Sequence, residues 1–229
     1  MDLLIRSWNV FHGNAHPPRR RSYLKEMVAL AARDRPDVLC LQELPLWSLE
    51  HLAAWTEMRL DASQTLPPML PRRLAGWVTR RHQGLLRSAI AGQANATLVA
   101  PSHTLEPLAR LRVSRPGQHP RTAHATSVGG RVTIVNAHIS PDREQLERLY
   151  AFAEAYHPVV VAGDLNLRDV ERPGWSHGAG GIDHLLGREL TVSALDTWSV
   201  ARRTVDGIVL SDHAPVEAVC SIGAPTDDR

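Results

Sequence analysis

Five short apolar runs in this chain each end at a side chain that can bind a metal ion or a phosphate group. The runs are rich in Val, Ile and Leu, and short runs of this composition are typical of buried β-strands. The polar groups that end them are Asn9, Glu43, Asn136 with His138, Asp164 with Asn166, and Asp212 with His213. Strand ends lie where a sheet meets solvent, and enzymes built on layered sheets place their sites there. The arrangement therefore predicts one site that is assembled from the whole chain.

Helices are predicted between the strands. The spacing of apolar residues indicates helices over residues 22–33 and 48–59. A third helix is predicted over 141–156, with Pro141 in its first turn and acidic residues near its positive end. Further strands are predicted over 74–80, 96–100, 105–113, 131–138, 159–162, 182–186, 207–210 and 214–221, with loops over the Pro-rich residues 67–71 and the Gly-rich residues 178–181. Both halves of the chain show strand, helix, strand, which favours two packed sheets with outer helices.

The length of 229 residues fits one large domain, because no segment has the composition of a linker. We expect this domain over residues 1–221 and a flexible tail over 222–229. Cys40 and Cys220 lie in apolar strand-like runs, which predicts buried thiols in a cytoplasmic protein rather than a disulfide. The N-terminus lacks the apolar core of a signal peptide, and no apolar run reaches membrane-spanning length.

The basic residues are distributed unevenly. Between residues 72 and 121 the chain has nine arginines and one acidic residue, Glu106. Such a segment can form a surface that binds phosphate groups. However, Lys25 is the only lysine, so arginine is the usual cation of this chain and part of the excess reflects composition. Both interpretations stay open at the level of sequence.

The residue types at the strand ends suit magnesium and phosphate. Mg²⁺ prefers oxygen ligands and takes few of them from protein, which leaves room for water and a substrate phosphate. Glu43 and Asp212 are the best carboxylate candidates, with Asn9 as a neutral oxygen ligand. In the pairs Asp164 with Asn166 and Asn136 with His138, the two residues are two positions apart. Side chains at this spacing point to the same face of an extended strand, so each pair can converge on one phosphate.

Six motifs occur in an order that resembles a known family. They are Ser7-Trp8-Asn9, Leu41-Gln42-Glu43, Asn136-Ala137-His138, Gly163-Asp164-Leu165-Asn166, Ile182-Asp183-His184 and Ser211-Asp212-His213. Together they are similar to the motifs of the endonuclease/exonuclease/phosphatase superfamily of metal-dependent phosphodiesterases. The resemblance runs from residue 3 to about residue 219. It implies a four-layer α/β/β/α sandwich with two packed mixed β-sheets and outer helices.

The resemblance also implies a metal site and a catalytic histidine. Glu43 would be the principal ligand of Mg²⁺, with Asn9 and Asp212 near it and Mn²⁺ as the alternative ion. His213 would lie close to the attacked phosphorus and would be oriented by Asp183. A histidine paired with a buried carboxylate has a raised pKa and a fixed ring, as an acid–base residue needs.

Three further residues take roles at the phosphate by the same resemblance. Asp164 would position or deprotonate the attacking water, and Asn166 would bind a phosphate oxygen that gains charge in the transition state. His138 would contact the phosphate and protonate the leaving oxygen. The implied reaction is phosphoester hydrolysis, which depends mostly on positioning and on neutralising negative charge.

The substrate stays open. The arginine-rich segment favours a nucleic-acid phosphodiester, while a small-molecule or lipid phosphoester and a non-catalytic binding module are the alternatives. No protein partner can be inferred. Trp175, in the loop before Asp183, is a candidate for substrate contact, and His12 is a candidate to face the site. The tryptophans Trp47, Trp55 and Trp77 are expected to pack in or against the core, and His184 is expected beside the site; the histidines His16, His82, His103, His119 and His124 are expected on solvated loops.

Overall fold

The structure is a computed structural model that describes residues 1–82, 87–178 and 181–223. The strands are β1 (Asp2–Asn9), β2 (Ala15–His16), β3 (Val38–Leu44), β4 (Arg59–Leu66), β5 (Gln93–Val99), β6 (Leu105–Arg112), β7 (Thr122–Val128), β8 (Val132–His138), β9 (Val159–Asp164), β10 (Trp175–His177), β11 (Asp183–Arg188), β12 (Thr191–Val192), β13 (Asp196–Thr197), β14 (Thr204–Val205), β15 (Ile208–Leu210) and β16 (Val216–Ser221). The helices are α1 (Leu24–Ala32), α2 (Leu49–Thr56), α3 (Arg72–Arg81), α4 (Arg87–Ala91) and α5 (Arg143–Ala153), with 3₁₀ turns at Phe11–Gly13 and Leu46–Ser48.

Two mixed sheets form the body of the protein. The first sheet has the strand order β12-β16-β1-β3-β5-β4, and β13 also pairs with β16. The second sheet has the order β10-β11-β9-β8-β7-β6. Each sheet contains one parallel pair, β1 with β3 and β8 with β9, and these two pairs contribute most of the strand ends singled out above. A small third sheet joins β14, β15 and β2.

Three apolar layers hold the sheets and helices together. Leu39 and Leu41 of β3 pack with α1 and α2 on the outside of the first sheet. The side chain between them in sequence, Cys40, points the other way and packs between the sheets with Ile134 of β8. On the far side of the second sheet, Val135 packs against α5. Successive side chains of a strand point to opposite faces of the sheet, so a strand in which all of them are apolar packs against a layer on each face. The four-layer α/β/β/α sandwich with outer helices is therefore confirmed.

Toward one end, the layer between the sheets is polar. Asp61 of β4 is buried and accepts hydrogen bonds from Thr126 Oγ1 (2.7 Å) and Arg110 Nη2 (2.6 Å). His124 of β7 is buried with its Nε2 2.9 Å from Thr97 Oγ1, and burial lowers its pKa to about 4. Buried polar groups are tolerated when they are hydrogen-bonded, and here the partners come from both sheets. The expectation that His124 lies on a solvated loop was therefore wrong.

Helix α3 replaces the strand that the sequence predicted over 74–80. Its buried face consists of Ala75, Gly76 and Thr79, and it packs against Trp47. Trp47 Nε1 donates a hydrogen bond to Thr79 Oγ1 (2.9 Å), and a Cβ at Gly76 would lie only 3.1 Å from the Trp47 ring. Small residues at helical spacing make this close approach but carry little hydrophobic signal, so the apolar run Leu74-Ala75-Gly76-Trp77-Val78 was misread as a strand.

Several other expectations can be compared with the structure. Cys40 and Cys220 are buried and free of a disulfide. Within the described residues, no helix combines the length and apolar character needed to cross a membrane. Strands β4 and β7 were not predicted from the sequence. Residues 224–229 of the predicted tail and residues 179–180 of the predicted glycine-rich loop lie outside the described residues.

Candidate active site

The ends of the central strands bring the predicted residues to one edge of the sandwich. The parallel pairs end together, with Asn9 opposite Gln42 in the first sheet and His138 opposite Asp164 in the second. Strand β11 runs antiparallel to β9, and its first residue, Asp183, is opposite Asp164. Side chains from both sheets and from five strands therefore meet at this edge.

Asp164 lies at the centre of the cluster and is almost completely buried. Its Oδ2 accepts a hydrogen bond from Asn9 Nδ2 (3.0 Å) and lies 3.4 Å from His138 Nε2 and 3.7 Å from His213 Nε2. Its Oδ1 accepts from the backbone N–H of Asn166 (3.0 Å). Burial, followed by the nearby charge of Asp183, raises the pKa of Asp164 to about 7. A carboxyl with such a pKa can exchange a proton near neutral pH.

Gly163 allows strand β9 to approach β8 closely enough to place Asp164. Its φ is +150°, a conformation that L side chains rarely adopt. A Cβ at this position would lie 1.8 Å from the backbone oxygen of Ala137, so no side chain fits. The glycine before the aspartate is thus required by the strand geometry rather than by contact with a substrate.

His213 and Asp183 form the expected pair. His213 Nδ1 donates to Asp183 Oδ2 at 2.9 Å. Burial alone would lower the pKa of His213, but the hydrogen bond and charge of Asp183, with smaller effects of Asp164 and Asp212, raise it to about 9. The imidazole is therefore protonated at neutral pH and directs Nε2–H toward Asp164.

The segment that carries His213 is fixed by hydrogen bonds to β1. Trp8 Nε1 donates to the backbone oxygen of His213 (3.0 Å), and Ser211 Oγ donates to the backbone oxygen of Asn9 (2.7 Å). Ser211 Oγ in turn accepts from the backbone N–H of His213 (3.1 Å). The serine and tryptophan of the two motifs thus hold the first and last strand ends of the site together.

Glu43 approaches the cluster from β3. Its φ is +55°, and the pairing of β3 with β5 shifts between Leu41 and Leu44, so the carboxylate sits at a β-bulge. Bulges redirect side chains and are frequent beside active sites. Glu43 Oε2 lies 3.7 Å from His12 Nε2, and Glu43 Oε1 lies 4.0 Å from His138 Nε2. Burial raises the pKa of Glu43, the charge of Arg121 opposes this, and the charge of Asp212 adds to it.

The oxygen donors near Glu43 fit a hard divalent cation. Glu43 and the exposed Asp212 are the nearby carboxylates, and the charge of Asp212 raises the pKa of both Glu43 and His213. Asn9 Oδ1 accepts from the backbone N–H of Phe11 (3.0 Å) and keeps a second lone pair. A second group that could hold an ion is Asp164 with Asp183 and His213, whose ligand atoms lie within 4.8 Å of one another. In that group, however, His213 Nδ1 and Asp183 Oδ2 are already hydrogen-bonded to each other.

Two arginines flank the acidic side of the site, and the sequence did not single them out from the other seven. Arg121 Nη1 donates to His138 Nδ1 (2.8 Å). Because Nδ1 accepts, the proton of the neutral imidazole lies on Nε2, which faces Asp164 and Glu43. Burial lowers the pKa of His138 well below its usual value, so this ring is neutral. Arg87 lies over the ring of Phe11 at 4.0 Å, near Glu43 and Asp212.

The site opens into two neighbouring cavities. One has a volume of about 290 Å³ and is lined by Asp183, Asp212 and His213. The other has a volume of about 370 Å³ and is lined by Glu43, His12, Arg87, His119 and Arg121, among others. The first cavity also contains Arg168, and the cations of the second are Arg87 and Arg121, which lie beside Glu43. His12 faces the site as the sequence suggested, although it is buried.

Asn136 takes a different place from the one expected. Its side chain is completely buried, accepts from Gln42 Nε2 (2.9 Å) and donates to the backbone oxygen of Ala96 (2.7 Å). An amide whose groups are bound to the opposite sheet is not available to a phosphate, so the expected phosphate-binding role of Asn136 was wrong. Asn166 does lie beside Asp164, where its Nδ2 donates to the backbone oxygen of Ile139 (2.9 Å).

Two other expected neighbours of the site, Trp175 and His184, make contacts within the fold. Trp175 packs edge-on against Tyr150 of α5, with ring centroids 5.1 Å apart, and its contact with substrate stays a prediction. His184 is buried and its Nε2 donates to the backbone oxygen of Leu167 (2.7 Å). It is a packed neighbour of the site, as expected.

Comparisons with known proteins agree with this architecture. The sequence matches the model of the Endonuclease/Exonuclease/phosphatase family over residues 7–213. A solved endonuclease/exonuclease/phosphatase from Beutenbergia cavernae DSM 12333 has 17% identity and a TM-score of 0.70 over 97% of this chain and 72% of its own. A humanized D. rerio TDP2 with 14 mutations has 16% identity and a TM-score of 0.65 over 96% of this chain and 99% of its own. TDP2 from C. elegans has 16% identity and a TM-score of 0.61 over 96% and 75%. The comparison with curated proteins gives no match. At these identities the structures show the fold, and the family match spans nearly the whole chain. The chain therefore belongs to the endonuclease/exonuclease/phosphatase family of phosphoester hydrolases.

Proposed function

We propose that this protein is a magnesium-dependent hydrolase that cleaves nucleic-acid phosphodiesters by attack of water. The observation that carries the proposal is the position of Asp164 Oδ2. This oxygen lies 3.4 Å from His138 Nε2 and 3.7 Å from His213 Nε2, beside the acidic pair Glu43 and Asp212. Glu43, Asp212 and Asn9 would hold Mg²⁺, with Mn²⁺ as the alternative. When bound, the ion supplies positive charge that neutralises the phosphate as negative charge develops on it.

The chain's own groups divide the proton transfers between them. Asp164 takes a proton from the attacking water, because its raised pKa makes it a competent base near neutral pH. His213, kept protonated by Asp183, donates Nε2–H to a phosphate oxygen that gains charge in the transition state. His138 presents Nε2–H to the phosphate or to the leaving oxygen. Asn166 exchanges its bond to Ile139 for a phosphate oxygen.

The preference for nucleic acid is supported by where the arginines lie. Arg87 and Arg121 line the cavity beside Glu43. Arg110 and Arg115 are instead bound to acids, Arg110 to Asp61 and Arg115 to Glu144 (2.6 Å in each case). Four more arginines are exposed on α3. The arginine-rich segment thus combines structural ion pairs with cations that are open to an anionic polymer. Some of its arginines support a phosphate-binding surface, and others have only a structural role.

A substrate panel tests the proposal. Supercoiled plasmid, an abasic duplex, single-stranded RNA, a phosphoinositide and sphingomyelin are each incubated with the protein in Mg²⁺ and in chelator. We expect magnesium-dependent cleavage of at least one nucleic acid. Turnover of only the lipid-type substrates would refute the nuclease assignment and favour a lipid phosphoesterase, and no turnover of any substrate would favour a non-catalytic binding module.

Matched variants separate the site from general damage. His213→Ala and Glu43→Ala are expected to abolish turnover while the far-UV circular dichroism spectrum stays unchanged. Glu50→Ala is the control, because Glu50 is an exposed glutamate of α2. Activity in either site variant equal to that of the control would contradict the assigned roles.

A further inference from the structure

Helix α3 presents a basic and aromatic surface to solvent that the catalytic site does not use. We define the α3 surface as Arg73, Leu74, Trp77, Arg80 and Arg81, all of which are exposed. Trp77 is 53% exposed and Leu74 is 47% exposed, so two large apolar side chains three positions apart face solvent together. The helix contains four arginines and no acidic residue. Its charge is therefore not neutralised by the helix itself.

The α3 surface is held in a fixed orientation. The opposite side of the helix packs on Trp47 through Gly76, and Thr79 accepts a hydrogen bond from the Trp47 indole N–H. The Arg80 guanidinium lies 5.0 Å from the centre of the same ring. Because these contacts occupy the inner face, the exposed residues cannot turn inward to bury Trp77. The surface is thus a stable feature of the folded protein.

The pattern around Trp77 indicates what kind of partner fits. Residues three and four positions away are its neighbours on the helix surface, and these are Arg73, Leu74, Arg80 and Arg81. Three of the four are cations, and the Arg81 guanidinium lies 4.7 Å from the centre of the Trp77 ring. A lipid surface favours apolar residues gathered in one stripe with cations at its margin. An aromatic ring surrounded by cations instead matches a single polynucleotide strand, whose bases stack while its phosphates bind arginine.

The surface is connected to the catalytic site through the neighbouring helix. Helix α3 packs against α4, and α4 contributes Arg87 and Ser88 to the cavity beside Glu43. A strand with its scissile phosphate in the site can therefore continue past Arg87 toward α3. We propose that the α3 surface binds a single-stranded segment of the polynucleotide substrate outside the cleft, with Trp77 stacking on a base and Arg73 and Arg81 binding phosphates. This inference rests on the proposed function and specifies its substrate as single-stranded.

The test measures binding without turnover. Fluorescence anisotropy follows the binding of labelled oligothymidylate, oligouridylate and a blunt duplex to the full chain in chelator, over a series of salt concentrations. The variants are Trp77→Ala and the double charge reversal R73E/R81E. The matched control is R35E/R131E, which makes the same change in net charge. Arg35 precedes β3 and Arg131 precedes β8, so both exposed arginines lie at the end of the sandwich opposite to the site.

We expect single strands to bind more tightly than the duplex. Trp77→Ala should weaken single-strand binding about tenfold, as the loss of one base–aromatic stack does. The plot of log K against log salt has a negative slope, and each phosphate contact on a single strand contributes about 0.7 to its magnitude. R73E/R81E removes two such contacts and should therefore make the slope shallower by about 1.4. Oligothymidylate and oligouridylate distinguish DNA from RNA. Equal salt slopes in R73E/R81E and R35E/R131E would overturn the inference.

Two further readouts keep this inference separate from the proposed function. Sedimentation with vesicles of phosphatidylglycerol tests the lipid alternative. The inference would be overturned if Trp77→Ala weakened binding to the vesicles but left oligonucleotide binding unchanged. Turnover of bis(p-nitrophenyl) phosphate, which is too small to reach α3, should be unchanged in R73E/R81E. If the wild-type protein binds single strands through the α3 surface but cleaves no nucleic acid, the proposed function fails and the binding role of the α3 surface stands. If it cleaves single strands and the α3 variants cleave them equally well, the docking inference fails and the proposed function stands.

Discussion

The substitution Asp183→Asn tests how the site sets the protonation of its histidine. In the wild type, His213 Nδ1 donates to Asp183 Oδ2 at 2.9 Å, and the pKa of His213 is raised from 6.5 to about 9. At about 1.4 kcal/mol for each pKa unit, the protonated ring is stabilised by about 3 kcal/mol relative to solvent. The amide that replaces the carboxylate in this variant carries no charge. Since burial by itself lowers the pKa of His213, we expect the midpoint to fall from about 9 to near or below 6.5.

The assay is an NMR titration of the His213 ring nitrogens in metal-free protein. The control is Asp196→Asn, because Asp196 is an exposed carboxylate bound to Arg202 (2.9 Å). Loss of the protonated ring should also lower kcat/KM at neutral pH by about 10² to 10⁴, the usual contribution of a positioned acid. A His213 midpoint that stays above about 8 in Asp183→Asn would refute the assignment of the raised pKa to this pair.

The same pair affects stability in a defined pH window. The folded-state pKa of His213 is raised above the unfolded value of 6.5, so its stabilisation is fully present below pH 6.5 and is lost as the pH rises through about 9. In urea denaturation, the difference in unfolding free energy between wild type and Asp183→Asn should therefore be larger at pH 6 than at pH 9.5. A difference that is the same at both pH values would contradict the linkage.

Three other substitutions probe separate parts of the molecule. Glu43→Gln should reduce magnesium-dependent turnover by at least about 10² and weaken Mg²⁺ binding in calorimetry, while the control Glu50→Gln should change neither. Equal Mg²⁺ affinity in the two variants would show that Glu43 is not a ligand. Asn136→Ala should lower the free energy of unfolding by about 1 to 3 kcal/mol in urea, because it removes one of the two acceptors of the buried Gln42 amide and the donor to the backbone oxygen of Ala96. Lost turnover with unchanged stability would restore the phosphate-binding role. His124 has its pKa lowered by burial from 6.5 to about 4, so its contribution to stability is present above pH 6.5 and is lost as pH falls toward 4. His124→Gln should therefore remove about 2 kcal/mol of the stability loss between pH 7.5 and pH 5, and an unchanged loss would show that the ring is not neutral in the folded state.

The sequence predicted the strand ends because their signal is local and strong. The first and last members of the series, Asn9 and the pair Asp212 with His213, follow apolar strands in the structure as expected. The resemblance to the family implies that Asp183 orients His213, and these two side chains are hydrogen-bonded in the structure. The runs Leu3-Leu4-Ile5 and Ile208-Val209-Leu210 in these strands are apolar and β-branched or leucine-rich, so composition alone predicts both strands.

Strands β4 and β7 escaped prediction because they bury polar side chains. The inward positions of β4 are Asp61, Ser63 and Thr65, and β7 buries His124 and Thr126. Such strands lack the apolar alternation on which sequence interpretation relies. Their stability comes from hydrogen bonds between sheets, which no pattern within one strand can reveal.

The site residues that sequence missed depend on similar long-range contacts. Arg121 was one arginine among nine, and only the structure shows that it fixes the tautomer of His138. Asn136 was expected at the phosphate because it shares a spacing with His138, which is two positions away. The prediction failed because the Asn136 amide is hydrogen-bonded to Gln42 and Ala96 of the opposite sheet, whereas His138, at the end of the same strand, reaches Asp164.

The hydrogen bond between Gln42 and Asn136 also connects the two sheets. It connects the strand that carries Glu43 to the strand that carries His138, and it lies in the interior where water cannot replace either partner. Local opening of one half would break this hydrogen bond together with the apolar contacts between the two sheets. Amide hydrogens on the two sides should consequently exchange with deuterium in one concerted event, at a rate set by global unfolding rather than by fluctuations of either half.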